Sequence, residues 1–315
     1  MKKVVFALLA SLAALQSVAQ ESQTEYNFLR LPASAHASAL GGDNISLMED
    51  DEALIFNNPA LLHNVSSKTI ALGYMNYMSG VNMGTAAFNY HKDKASYAAS
   101  IQYVDYGTMK ETDATGLETG DFSAKDISIA GYVSYALGRN VTGGLSGKFI
   151  TSYIGSYNSI AVVFDLGMTY YNPESEFSAG LAVKNLGGQL QAYDEEYEKM
   201  PTDVQIGLTK RFAHMPFRIS ATLVDLTHWD YSFVDHAVIG VDLLLSKSIW
   251  VGGGYNFRRA KEMKISDGED SESSHGAGFS LGGGINLERF KLNIGWGKYH
   301  VNSSSLLFNL AYTLK

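Results

Sequence analysis

Few side chains in this sequence stand at spacings that chemistry requires. The eight histidines (His36, His63, His91, His214, His228, His236, His275 and His300) are scattered singly. No His-Glu-x-x-His or other metal-ligand spacing joins them, so no metal site is expected. Two glycine runs, GGGYNF (252–257) and SLGGGINL (280–287), do not join a strand to a helix as a phosphate cradle must, and they read as structural. The acidic stretches DEEYEKMP (194–201) and DGEDSES (267–273) could attract divalent cations. They lack the ligand order of a calcium loop and read as solvated loops. Asp165 and Asp242 remain, each on an otherwise apolar strand and predicted to face inward. Paired charges inside the fold are the reading favoured over contacts in a polar cavity. No catalytic constellation and no cofactor site emerges. With 24 Lys+Arg against 32 Asp+Glu, a net charge of −8 and no basic stripe, nucleic-acid binding is set aside as well.

The elements that would carry any site begin after a leader. Lys2 and Lys3 precede an apolar run, Val4 to Leu15, and the small residues Ser17-Val18-Ala19. This pattern predicts a signal peptide over 1–19, cleaved after Ala19, and therefore export. No cysteine is present, so stability must come from strand pairing and packing although export would permit disulfides. Glycine (31) and tyrosine (19) are abundant and proline (5) is scarce, which suits long paired strands.

From residue 67 to 315 the alternation is persistent. In KDISIAGYVSYALG, Ile127, Ile129, Val133, Tyr135 and Leu137 share one face, opposite Ser128, Ala130, Tyr132, Ser134 and Ala136. In SIAVVFDLGMTYY, Ile160, Val162, Phe164, Leu166, Met168 and Tyr170 oppose Ala161, Val163, Asp165, Gly167 and Thr169. The runs are about ten residues or more, whereas soluble strands average about five or six and a tilted transmembrane strand needs about 9–11. Fourteen runs are expected, at 68–78, 83–91, 96–105, 125–137, 140–152, 159–171, 176–185, 203–212, 216–226, 236–246, 248–257, 276–287, 289–298 and 304–314. Connection lengths support that number. The long ones (106–124, 186–202, 227–235 and 258–275) are all odd-numbered. The even ones (91–95, 138–140, 172–176, 213–215, 246–247 and 288–289) are short. Bacterial barrels have short periplasmic turns, long outer loops and an even strand number, so both termini are expected on the periplasmic side. Aromatics towards strand ends (Tyr90, Tyr103, Tyr135, Tyr153, Tyr255, Phe257 and Trp296) fit interfacial girdles. The inward face is rich in Gly, Ala and Ser, which leaves room for a cavity or a plug.

Residues 20–66 do not alternate. Asn58 followed by Pro59 is a helix start, since Asn caps free amides and Pro at the first position gives up an amide without a partner. Gly41-Gly42 allows a tight turn, and Asp50-Asp51 places acid ahead of the helix. Gly41, Gly42, Asn57, Asn58 and Pro59 are the expected structural motif of a plug, with 21–62 folded into the periplasmic half of the lumen. The expected fold is all-β: a 14-stranded antiparallel transmembrane barrel, 67–315, with an N-terminal plug, 20–66.

The segment YNFLRLPASAHASALGGDNISLMEDDEALIFNNPALL (26–62), backed by fourteen strands, resembles the FadL-like outer-membrane barrels of Bacteroidota. Within them it is most similar to the PorQ family of the type IX secretion system, with the PorV-related barrels next. FLRLP, SAL, LGG and NNPALL carry the resemblance, and YVDYGTMKETDATGLETGDFSAKD (103–126) and GKFITSYIGSYNS (147–159) extend it over most of the mature chain. Asn-Pro-Ala alone occurs across FadL-like proteins, and PorV-type chains are usually longer. The resemblance implies a non-enzymatic role in a cell-surface attachment complex with PorU-, PorV- and PorZ-like members. There it would hold a PorZ-like protein that helps attach secreted cargo to lipopolysaccharide. The location it implies is the outer membrane, with lipid around the barrel and loops at the cell surface. Tyr193, Tyr197, Trp229 and Tyr231, aromatic residues in acidic loops, are the candidate partner contacts. The alternative is a FadL-like transporter of a hydrophobic small molecule, using the same barrel and plug. A passive porin is disfavoured by the plug.

Overall fold

The computed structural model describes residues 24, 26–212, 215–228, 232–263, 265–266, 272–300 and 303–315. The expected signal peptide, Trp229 and Tyr231 lie outside them. The strands are β1 (Thr69–Asn76), β2 (Asn82–Lys92), β3 (Ala95–Thr112), β4 (Glu118–Ala136), β5 (Val141–Ile154), β6 (Tyr157–Asn172), β7 (Phe177–Gln191), β8 (Asp203–Arg211), β9 (Phe217–Leu223), β10 (Ala237–Leu244) and β11 (Ile249–Asn256). They continue with a small hairpin, β12 (Ile265–Ser266) and β13 (Glu272–Ser273), and with β14 (Phe279–Asn286), β15 (Phe290–His300) and β16 (Ser303–Thr313). All except β12 and β13 form one closed barrel of fourteen antiparallel strands, each paired with its neighbour in sequence. Closure comes from β1 against β16, in register from Thr69↔Thr313 to Asn76↔Leu306. The all-β, fourteen-stranded antiparallel barrel expected from the sequence is the fold observed.

The period-two pattern dictates the wall. Ile129, Val133 and Tyr135 point outward, while Ser128, Ala130, Tyr132 and Ser134 are buried inside. The outward set around the barrel is apolar: Leu72, Ile129, Leu166 and Leu208 each leave about half of their surface uncovered, at 52%, 55%, 47% and 47%. A continuous apolar belt of this kind has no stable place in water and fits the hydrocarbon of a bilayer. Closure satisfies every strand edge within that belt, as a membrane demands. Among the described residues no helix is long and apolar enough to cross a membrane; the strands do the crossing.

The even connections are tight and lie at one end, the turn end, together with the start of β1 and the end of β16. The opposite, loop end carries 192–202, 224–236 and 257–278. The last of these contains a short helix, α2 (Phe257–Glu262). The first difference from expectation is at 106–124, predicted as a loop. There β3 and β4 continue as a hairpin, paired from Thr108↔Ser123 to Thr112↔Glu118. It stands beyond the wall, because β2 stops pairing with β3 at Asn82↔Asp105 and β5 meets β4 only from Ala124↔Ile154. Water bathes both faces of this arm, so no apolar alternation is needed to stabilise it and none was visible. In the same way β7 runs on to Gln191, past the expected end at 185.

Candidate functional site: a lumen filled by the N-terminal segment

The plug is a series of short turns, three of them begun by a side-chain cap. Ser34 accepts from the Ala37 amide at the start of α1 (Ala35–Ala39). Asp51 Oδ1 accepts from the Ala53 amide at 3.0 Å, and Asn58 Oδ1 from the Ala60 amide at 3.0 Å, with Pro59 in the first helical position. These caps satisfy amides that water cannot reach. Gly41 and Gly42, at φ 108° and 104°, end α1 in a conformation that side chains disfavour; the Gly42 amide donates to Ala37 O at 2.8 Å. Asn58 Nδ2 reaches Ile45 O at 2.9 Å and so ties the two halves of the plug together. Asn57 is buried beside Gly42 O, at 3.5 Å.

The small inward residues of the wall are where the plug backbone lies. A Cβ added to Gly144 would meet the Ala60 amide nitrogen at 2.3 Å, one on Gly254 the Leu40 carbonyl carbon at 2.2 Å, and one on Gly295 the Ala35 carbonyl oxygen at 2.5 Å. Polar and charged contacts fix the rest. Asp242 receives Arg218 Nε at 2.8 Å and lies 3.0 Å from His36 Nε2, while Arg218 also pairs with Glu49 of the plug. The His36 ring stacks on Trp250 at 3.6 Å, and Trp250 Nε1 donates to Asn293 at 3.0 Å. Lys291 holds Asp50 at 2.6 Å. Asp165 pairs with Lys148 at 2.7 Å and accepts from the Asn185 amide at 2.8 Å, where β7 carries an irregular residue at φ 57°. The two inward aspartates are therefore members of buried pairs. Glu52 is different. It is fully buried, neither carboxyl oxygen has a hydrogen-bond partner, and burial, then the neighbouring Asp51, pushes its carboxyl up to about 8.

The plug is not confined to the half of the lumen near the turn end, as the sequence had suggested. Its first described residues reach the loop end. Tyr26 OH bonds Ser159 Oγ at the start of β6 and accepts from Gln189 at 3.1 Å. Gln102 donates to Phe28 O at 3.3 Å. Tyr26, Phe28 and Leu29 pack there with Met75, Met83, Val104, Tyr299 and Leu307. The reason is length: the chain from Tyr26 to Val65 is enough to cross the lumen and return, and the apolar side chains of FLRLP need that cluster for burial. Among the described residues a cavity of about 10 Å³ lies between plug and wall, lined by Leu29, Leu31, Phe56, Ser100, Gln102, Ser128, Ala130, Tyr132 and Lys148, the room of one water.

Of the expected partner contacts, Tyr193 turns inward. Its ring stacks on Tyr26 at 6.4 Å, and its hydroxyl donates to Ser152 Oγ, which in turn donates to Asp126. Tyr193 thus seats loop 192–202 on the plug. Tyr197 is 66% exposed. Among the described residues no group of three His, Asp or Glu is placed to hold a metal ion. Sequence reasoning missed Tyr26, Phe28 and Asn309. Asn309 holds Ala33 O at 2.9 Å and also accepts from the Ala35 amide. The one available signal was an Asn on the inward face of an apolar strand.

No family model and no curated protein matches the chain. Solved structures do. The toluene transporter TodX of Pseudomonas putida superposes with a TM-score of 0.58 at 11% identity over 91% of this chain and 99% of that one. The monoaromatic hydrocarbon channel CymD gives 0.59 at 11% identity, over 90% and 97%. A deletion mutant of TodX gives 0.58 at 13%, over 89% and 98%. These neighbours are described as a toluene transporter and monoaromatic hydrocarbon channels. At this identity the likeness is one of fold.

Proposed function

We propose that this chain is a non-enzymatic outer-membrane barrel that anchors a surface protein, and that the partner is the PorZ-like member of a type IX secretion attachment complex. The observation that carries this reading is the filled lumen. A site for a drug-sized or hydrocarbon ligand takes about 300–1,000 Å³ of mostly apolar space. Here the plug crosses the barrel, and the cavity beside it has about 10 Å³ with Ser100, Gln102, Ser128 and Lys148 in its wall. What remains for recognition is the loop end, where the β3–β4 arm and the exposed Tyr197 project. The sequence likeness to the PorQ family names the partner. The orientation that goes with the proposal puts the loop end at the cell surface.

The second reading is a transporter of a hydrophobic small molecule, and the fold comparisons favour it: TodX and CymD are described as a toluene transporter and a monoaromatic hydrocarbon channel. Purification from mild-detergent membranes separates the two. An anchor brings down a large exported surface protein, and deletion of its gene releases that protein and leaves cargo poorly attached. A transporter retains lipid or hydrocarbon, and its deletion abolishes uptake of a hydrophobic nutrient while attachment stays normal. The latter pair of results would replace the anchor reading.

A further inference from the structure

The turn end carries a charge pattern that neither reading uses. Lys92 and Lys94 flank its first connection, Arg139 lies in the second, Lys247 and Arg289 lie in the fifth and sixth, and Lys68 stands where the first and last strands meet. Five of these are exposed and Arg289 partly so. Lys68 donates to Lys315 O at 3.2 Å, and none of the six pairs with an Asp or Glu side chain among the described residues; of the acids at this end, Asp93, Glu174, Glu176 and Glu288, Glu176 is taken by Arg211 at 3.2 Å. The loop end has the opposite sign, with Glu111, Asp113, Glu118 and Asp121 along the arm and Asp194, Glu195, Glu196 and Glu198 in 192–202.

A band of outward aromatics lies immediately inside the basic positions. Tyr90 is 47% exposed, Tyr97 46%, Tyr135 48% and Phe290 53%, and they sit within a few residues of Lys92, Lys94, Arg139 and Arg289 respectively. Aromatic rings settle at the boundary between hydrocarbon and headgroups, and cations just beyond them meet headgroup phosphates. The basic positions occupy five of the seven strand junctions at this end, on an arc from β10–β11 through the β1–β16 seam to β4–β5. A protein partner would engage a single face, whereas a shell of lipid touches all of them.

We infer that the turn-end rim binds the headgroups of anionic glycerophospholipids in the leaflet it faces. The site is independent of whether the barrel anchors a protein or passes a solute. The test uses the full mature chain in detergent, titrated with phosphatidylglycerol or phosphatidylcholine, with retained lipid counted by native mass spectrometry. Phosphatidylglycerol should be retained about five-fold over phosphatidylcholine at low salt, and the preference should collapse at high salt. A K92Q/K94Q/R139Q/K247Q/R289Q variant should lose the preference, and an E195Q/E196Q/E198Q variant at the loop end should keep it. Equal retention of the two lipids by the wild type, or a preference that survives the five substitutions, would overturn the inference. So would displacement by inorganic phosphate beyond that caused by sodium chloride of equal ionic strength, which would assign the rim to free anions.

Discussion

Replacing Asn58 with Ala should undock the plug without melting the barrel. Two short hydrogen bonds are lost, with a longer one of 3.5 Å to Met168 O of the wall. The cap on the Ala60 amide, at 3.0 Å, is of a kind worth about 1 kcal/mol. Ile45 O, bonded by Asn58 Nδ2 at 2.9 Å in a fully buried site, would be left without that donor, at a cost of about 1–3 kcal/mol. Together the loss is about 2–4 kcal/mol, which raises the open population of the plug about 30- to 1,000-fold. Hydrogen exchange followed by mass spectrometry should show that acceleration in peptides from 26–66, while peptides from the strands keep their protection. Asn58→Ser keeps an acceptor for the cap and should lie between the two. Gly167→Ala approaches from the other side: its Cβ would meet Asn58 Oδ1 at 2.0 Å, so it should loosen the plug with the plug sequence intact. Exchange in 26–66 unchanged by Asn58→Ala would refute the assigned role of this residue. Matching losses in plug and strands would refute the separation of plug from wall.

Plug docking should also weaken as pH rises. Burial, and then Asp51, push the Glu52 carboxyl from 4.5 to about 8, so between those values the docked plug holds a proton that the undocked plug releases. The stabilisation is complete below the lower value and fades through the upper one. Asp51 is raised by burial and acts in the same sense. Asp50, held low against its own burial by Lys291 and Ser66, acts only in acid. Glu52→Gln should flatten plug exchange between pH 5 and 8, and an unchanged slope would dismiss Glu52 as its source. Tyr197→Ala should reduce co-purification of the surface partner at normal barrel abundance, whereas Tyr193→Ala should loosen loop 192–202 and expose it to protease; equal partner loss in both would make Tyr193 a contact after all. An epitope inserted at Thr115 in the tip of the arm should be detected on intact cells and one at Lys315 only after permeabilisation, and the reverse labelling would invert the proposed orientation.

The wall was legible because lipid enforces a strict alternation: from residue 124 of β4, and along β6, every second residue faces hydrocarbon and the intervening ones face the lumen. The same logic hid the arm. Residues 108–123 meet water on both sides, so polar side chains on both faces of a hairpin look like a loop. The caps at Asn58 and Asp51 are local chemistry and could be read from neighbouring residues. The depth of the plug could not, because it depends on Phe28 and Leu29 finding Met75, Met83 and Leu307 from distant strands. Asp165 and Asp242 were visible as oddities on apolar strands. Their partners Lys148 and Arg218 emerge only once the register of β5 with β6 and of β9 with β10 is known. The inward contacts of Tyr193 were hidden for a related reason: an aromatic in an acidic loop gives no sign of the ring it stacks on.

The contact between Asn309 and the plug bears on the order of assembly. The barrel closes when β16, the last strand made, zips onto β1, the first. Asn309 sits in the middle of β16 and bonds both Ala33 O and the Ala35 amide. A barrel that closed first would leave water to take both hydrogen bonds until the N-terminal segment entered, whereas one that closed around the segment would complete them as the seam forms. In either order the closing strand carries a residue whose protein partners are present only when the plug is in place.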